Sequence, residues 1–347
     1  MAKKANVAAG KTPFHTVVQK VQLGTITDKE ISEYFVAQPN PQRPFDFTVG
    51  LNRATVDFQG VEKSSKLADA LAQDAAISRD RRVRAAAAPA GYQRKSPIIA
   101  EGDSWFRLPP IMPPTLIDLL QQDYGYAITN MAHWGDTLAE IVLAGQFWPP
   151  LVSGQADTFL FSAGGNDVLG GDRGMARFLR LFDVDHTKPS DAAYYIKPEF
   201  YENLKRILHD YEALIQRVHV RAPDVIMLGH GYDYVIPRVE GPWIGTGMMY
   251  VGLDPTFHAG LCQAIIRLMI DAFNKALAGF ATTYSNYRYV NLRGAIGKNE
   301  WRDELHPTKA GAAKTAARFD KVLRKLPKSG AFAAPLIASR AMFRRAA

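Results

Sequence analysis

The rhythm of apolar residues changes near residue 96, and that change organises the chain. From Ser96 onward, short apolar runs alternate with longer stretches whose apolar residues recur every three or four positions, the patterns of strands and amphipathic helices. Ile98–Glu101 predicts a strand ending in Gly102-Asp103-Ser104, Thr115–Asp123 a helix, Tyr126–Met131 a second strand and Thr137–Gly145 a short helix. Thr158–Ser162 predicts a third strand running into Gly164 and Gly165. In Phe200–Val220, Leu204, Ile207, Leu208, Tyr211, Leu214, Ile215 and Val218 mark one face of a long helix. Pro223 precedes a strand over Asp224–Leu228, His258–Phe280 reads as another long helix, Arg288–Leu292 as the fifth strand and Thr308–Leu326 as the last helix. Five strands separated by helices predict an α/β domain with a parallel sheet covered on both faces. In such sheets ligands gather at the carboxyl ends of the strands.

The chain before Ser96 reads differently. About the first 24 residues carry no clear punctuation. Thr27-Asp28-Lys29-Glu30 fits a capping box, and the short helix it starts runs to about Phe35, where Pro39, Pro41 and Pro44 stop it. Ala54–Phe58 predicts a strand and Lys63–Ile77 a helix. Ser78–Lys95, with four arginines and then four alanines, is the linker candidate. The expected organisation is an N-terminal extension over 1–95, a main domain over 96–327 and a basic tail over 328–347.

Composition narrows the function classes. Hydrophobic residues make up 47% and charged residues 22% of the 347, which is globular rather than disordered. No run approaches the roughly 18–20 apolar residues that cross a bilayer, and Lys3, Lys4 and Lys11 interrupt any signal-peptide core, so a cytoplasmic protein is expected. The single cysteine, Cys262, has no internal disulfide partner and sits in an apolar helical stretch as packing. The net charge of +8 is carried by the ends: residues 1–96 and the stretch from Lys321 are basic, whereas 97–320 is mildly acidic. Solvated charge, with peripheral contact of the ends to acidic partners, is the expectation. Nucleic acid is not expected, because no zinc-finger spacing or RNA-binding aromatic motif accompanies the charge.

Four short polar blocks fall at the predicted strand ends. Glu101-Gly102-Asp103-Ser104-Trp105 puts a serine at the first strand's end, without the Gly-x-Ser-x-Gly elbow of α/β-hydrolases, since Phe106 holds the last position. Asp303-Glu304-Leu305-His306-Pro307 places a carboxylate three residues before a histidine, with Pro307 at a helix start. A serine hydroxyl needs a base to take its proton, and the imidazole needs a carboxylate to hold it; equally, Asp303 can cap the helix while His306 lies in solvent. Acyl transfer also needs oxyanion donors, for which the Ser104 N–H, Gly135 in Asn130–Thr137 and Asn166 in Gly164-Gly165-Asn166-Asp167 stand ready, although each glycine stretch also makes an ordinary turn. His230, in Gly229–Tyr234, is a rival base without the Asp-x-x-His-Pro setting. His133 and Tyr232 are expected near the substrate. Two inserts, Val168–Glu199 and Ile236–Phe257, the latter with Trp243, Met248, Met249 and Tyr250, read equally as lids or as core.

In order, these blocks resemble the SGNH (GDSL-type) hydrolase family over about Ser96 to Leu326. The resemblance implies a three-layer α/β/α flavodoxin-like fold and metal-free ester hydrolysis, with Ser104, His306 and Asp303 as triad and Ser104, Gly135 and Asn166 as oxyanion hole. Trp105 stands where leucine is common in the family and alters the pocket wall; Trp105, His133, Tyr232 and Trp243 are the expected substrate contacts. A small-molecule, lipid or sugar ester is the expected substrate. No metal or cofactor is expected, since His-Glu-x-x-His, Gly-x-Gly-x-x-Gly and Walker patterns are absent. Acyl transfer or carbohydrate deacetylation at the same site, or a binding module without turnover, are the alternatives.

Overall fold

A computed structural model describes residues 10–40, 46–58, 71, 97–170 and 174–326. The predicted helix Lys63–Ile77, the linker Ser78–Lys95 and the tail from residue 328 lie outside the described residues, apart from Leu71. In chain order the strands are β1 (Thr12–Pro13), β2 (Phe35–Pro39), β3 (Phe47–Leu51), β4 (Val56–Asp57), β5 (Ile98–Gly102), β6 (Ile128–Asn130), β7 (Thr158–Ser162), β8 (Ile226–His230) and β9 (Tyr287–Val290).

Strands β5 to β9 form one parallel sheet in the order β6-β5-β7-β8-β9. Every residue of β5, β7 and β8 is buried, which explains their unbroken apolar runs: central parallel strands have no solvent face. The chain moves outward from β5 to β6 and then returns past β5 to β7. The order therefore reverses at β5, and the crevice beyond the carboxyl ends of β5 and β7 is the topological switch point. Helices Leu138–Ala144, Pro198–Arg221 and Ala259–Thr283 pack together on one face, and Leu116–Gln122 packs with Lys309–Leu323 on the other. This is the three-layer α/β/α arrangement.

Local chemistry explains several boundaries. Thr115 with Asp118 and Thr137 with Glu140 form capping boxes that start the two short helices. Pro198–Arg221 buries Phe200, Leu204, Ile207, Tyr211, Leu214, Ile215 and Val218 along one stripe. The central strands lie within two or three residues of their predicted positions. Cys262 is buried in Ala259–Thr283, and burial pushes its thiol up to about 12. No helix among the described residues is long and apolar enough to cross a membrane.

The N-terminal residues hold more structure than their sequence suggests. Thr27 and Glu30 do form a capping box, starting Asp28–Tyr34. The unpunctuated start contains a helix, Phe14–Gln22, that buries Val17 and Val21. The helix from Asp28 ends at Tyr34, close to the expected Phe35; beyond it, unexpected from the sequence, β2 and β3 pair as an antiparallel hairpin with Pro39 opposite Phe47 at its end. Proline removes a ladder donor but is tolerated at strand ends. The predicted strand Ala54–Phe58 shrinks to β4, paired parallel with β1. Val17, Ile31, Phe35, Phe47, Val49 and Val56 belong to the same buried cluster as the main sheet.

Candidate active site

Ser104 sits two residues beyond the end of β5. The approach of β5 to β7 demands glycine at 102, where a Cβ would lie 2.5 Å from the Ser162 carbonyl oxygen. The turn is fastened by Asp103, whose carbonyl accepts the Phe106 and Arg107 N–H groups at 3.0 and 3.1 Å. Its carboxylate accepts the Trp105 N–H at 3.0 Å and the Ser162 hydroxyl at 2.8 Å, and also a short hydrogen bond from Tyr232. Burial raises the Asp103 carboxyl to about 6 against the pull of these donors.

His306 arrives from 202 residues away, and its Nε2 lies 2.9 Å from Ser104 Oγ. On its other edge, Nδ1 is 3.0 Å and 3.1 Å from the two Asp303 oxygens. Burial works against the Asp303 charge, but the adjoining His306, its ring hydrogen bond and the Leu305 and His306 N–H groups outweigh it and hold the carboxyl at about 2. An ionised carboxylate only accepts hydrogen bonds, so Nδ1 carries the ring proton. Nε2 is then the acceptor for the Ser104 hydroxyl. The carboxylate thus fixes the tautomer a general base requires.

Candidate anion donors lie in the segments that follow β5, β6 and β7. The Ser104 N–H and the Gly135 N–H have no acceptor among the described residues. Gly135 has φ +85, a left-handed conformation that favours glycine. Asn166, in the first turn after β7, donates one amide N–H to the Asp136 carbonyl at 2.8 Å. That bond ties its side chain to the Gly135 loop and leaves a second amide hydrogen for another acceptor.

Other buried polar groups serve as braces that the sequence motifs did not reveal. Glu304, fully buried, accepts backbone N–H groups from Arg238, Trp243, Ile244 and Gly245 at 2.6–3.1 Å. Burial raises its carboxyl despite these four donors. The loop so gathered sets the Trp243 ring 5.5 Å from the His306 ring. Asp233 accepts N–H groups from Tyr234, Gly294 and Ile296, tying the loop after β8 to the one after β9. Tyr232 bridges Asp103 and the Gly165 N–H, so its hydroxyl is already engaged. The only advance signal for Glu304 was a charged residue between Asp303 and His306, and nothing local indicated its distant partners.

The rival base is not placed as one. His230 is fully buried among the rings of Trp105, Phe106, Tyr232 and Phe319. Its Nδ1 faces the Gly231 carbonyl, and burial depresses it to about 4. Beside Ser104 opens a cavity of about 80 Å³ whose wall is mostly apolar, including Leu204, Val235, Ile244, Ile266, Met269 and Phe273. Trp105, Asn166 and Tyr232 also line it, as do Val168 and Leu169 from the first insert. Trp243 touches the site through His306. His133 is not among the residues lining that cavity: it stacks on Trp134 and lines a polar pocket with Glu101, Arg107 and Asp136.

The model of the GDSL-like lipase/acylhydrolase family matches residues 100–314. Among solved structures, phospholipase A1 from Streptomyces albidoflavus NA297 is 14% identical, covering 65% of this chain and 98% of its own at a TM-score of 0.44. An extracellular lipase from Streptomyces rimosus is 14% identical, with 65% and 99% covered and a TM-score of 0.43. The acetylxylan esterase Axe2 from Geobacillus stearothermophilus is 14% identical, with 66% and 94% covered and a TM-score of 0.39. Among curated proteins, no sequence matches significantly.

Proposed function

The chain belongs to the GDSL-like lipase/acylhydrolase family, and from that premise we propose that it hydrolyses carboxylic esters of apolar acyl groups through an acyl-enzyme on Ser104. The observation that carries this reading is the hydrogen-bonded line from Asp303 through His306 to Ser104, with 2.9 Å at its reacting end.

In the proposed cycle, Ser104 Oγ attacks the ester carbonyl carbon as its proton passes to His306 Nε2. Asp303 stays ionised and stabilises the imidazolium. The carbonyl oxygen becomes an oxyanion, held by the N–H groups of Ser104 and Gly135 and by the Asn166 amide. The carbon–oxygen bond to the alcohol then breaks, and His306 returns its proton to the leaving oxygen. Water repeats the sequence: it gives a proton to His306 as its oxygen bonds to the acyl carbon, and His306 returns that proton to Ser104 Oγ as the acyl bond breaks and the acid is freed.

The cavity supports an apolar acyl group over an acetylated sugar. Apolar side chains dominate its wall, and an alkyl chain leaves no polar group unpaired against such a wall, whereas sugar hydroxyls would be left unpaired. The test is hydrolysis of p-nitrophenyl esters from acetyl to dodecanoyl, with fluorophosphonate labelling, in wild type and Ser104→Ala. Turnover and labelling are expected in wild type only, with kcat/KM higher for longer acyl esters than for acetyl. Hydrolysis that survives Ser104→Ala would refute the reading. Added alcohol acceptors separate transfer from hydrolysis, and an acetylated sugar preferred over every acyl ester would favour deacetylation.

A further inference from the structure

The family-matched residues 100–314 do not contain everything that touches the site. The end of the N-terminal hairpin reaches it through three contacts. The Phe47 ring lies 5.5 Å from the His306 ring and 5.5 Å from the Trp243 indole, and the His306 and Trp243 rings are themselves 5.5 Å apart. The Phe47 carbonyl accepts the indole N–H of buried Trp134 at 3.2 Å. Asp46 packs directly on Gly135, where an added Cβ would meet the Asp46 Cβ at 2.7 Å. Phe47 and Asp46 are both buried. The hairpin end is itself fastened by the Pro39–Phe47 pairing and by the Asn40 N–H donating to the Asp46 carbonyl at 2.9 Å.

We infer that Phe47 is a positioning residue for His306, and that Asp46–Phe47 makes the hairpin an integral wall of the catalytic site. The physical need is plain. Asp303 restrains only the Nδ1 edge of the imidazole, whereas proton transfer depends on where Nε2 points. Swing of the ring is limited by what presses on its sides, and two aromatic rings do so here: Trp243, set by Glu304, and Phe47, set by the hairpin. Removing one of the two leaves a ring-sized gap into which the imidazole can turn, and displacements near 1 Å cost about 10²-fold in rate. The hairpin also packs on Gly135 through Asp46, so one element contacts both the base and the loop that carries the proposed oxyanion glycine.

This inference rests on the reading of Ser104 and His306 as nucleophile and base, and the experiment separates the two. Full-length wild type, Ser104→Ala, Phe47→Ala, Phe47→Leu and Trp134→Phe are compared by kcat and KM on one medium-chain p-nitrophenyl ester. The rate of Ser104 phosphonylation by a fluorophosphonate is followed in parallel, well below each variant's melting temperature. Phe47→Ala is expected to lower kcat and labelling rate about 10- to 100-fold with KM within about threefold, and Phe47→Leu to restore most of the loss by refilling the gap. Trp134→Phe, which keeps the ring but deletes the hydrogen bond to the Phe47 carbonyl, is expected to lower kcat about threefold or more without moving KM. If Phe47→Ala does not fold, Trp134→Phe still decides: wild-type kcat in it overturns the inference. Wild-type kcat in a folded Phe47→Ala overturns it too, leaving the catalytic reading intact. No labelling of wild type overturns the catalytic reading itself.

Discussion

Glu304 accepts the Trp243 backbone N–H at 3.1 Å, and the Trp243 indole lies edge-on to the His306 ring at 5.5 Å. A carboxylate two residues before the histidine therefore holds it by way of a loop some sixty residues earlier in the chain. Within Asp303–His306, one acid contacts the imidazole directly and the other builds the wall beside it.

Glu304→Ala strands four backbone N–H groups in a buried loop. Each unsatisfied group costs about 1–3 kcal/mol, partly relieved by water entering the vacated space. A net loss of about 3–5 kcal/mol is expected, together with a fall in kcat as Trp243 loosens. Urea denaturation measures the first and ester hydrolysis the second. A denaturation midpoint equal to wild type would contradict the bracing role.

Glu101 makes stability depend on pH in a stated direction. Burial raises its carboxyl from 4.5 to about 7, so the folded protein binds this proton more tightly than the unfolded chain. The stabilisation is fully present below about pH 4.5 and is lost as pH rises through 7. Glu101→Gln removes the charge, so its advantage over wild type should grow across that window to about 3 kcal/mol and then level off. Melting curves at pH 4.5, 6 and 8 check this; an advantage that shrinks with rising pH would reverse the argument.

Filling the cavity should change acyl preference without touching the reacting groups. Ile266 is buried in its wall, and Ile266→Trp shortens the space available to an acyl chain. Relative kcat/KM for octanoyl over acetyl esters should fall at least tenfold, the scale set by a methylene or more in an apolar pocket. An unchanged ratio would place the acyl chain elsewhere.

Much of the main domain is legible because its signals are local. Apolar runs mark β5, β7 and β8, three-and-four spacing marks Pro198–Arg221, and the helices expected from Thr115 and Thr137 do begin at those threonines, which cap them. The order of the four polar blocks indicates which residues to bring together. The hairpin was not legible, because prolines around its turn resemble a break and its strands are short. His133 shows what adjacency in sequence leaves open: it lies two residues before Gly135, yet its ring stacks on Trp134 and lines a polar pocket with Glu101 and Asp136.

Pattern and residue type along the chain settled the α/β class, the strand sequence and the shortlist of Ser104, Asn166, Asp303 and His306, because periodicity and turn chemistry act over a few residues. Long-range packing settled the rest. It set Nε2 of His306 beside a hydroxyl 202 residues away, buried His230 among aromatic rings, and gave Glu304 its four donors. It also pressed Phe47 against the imidazole. Such contacts depend on how whole layers close on one another, and short-range pattern carries no record of that closure.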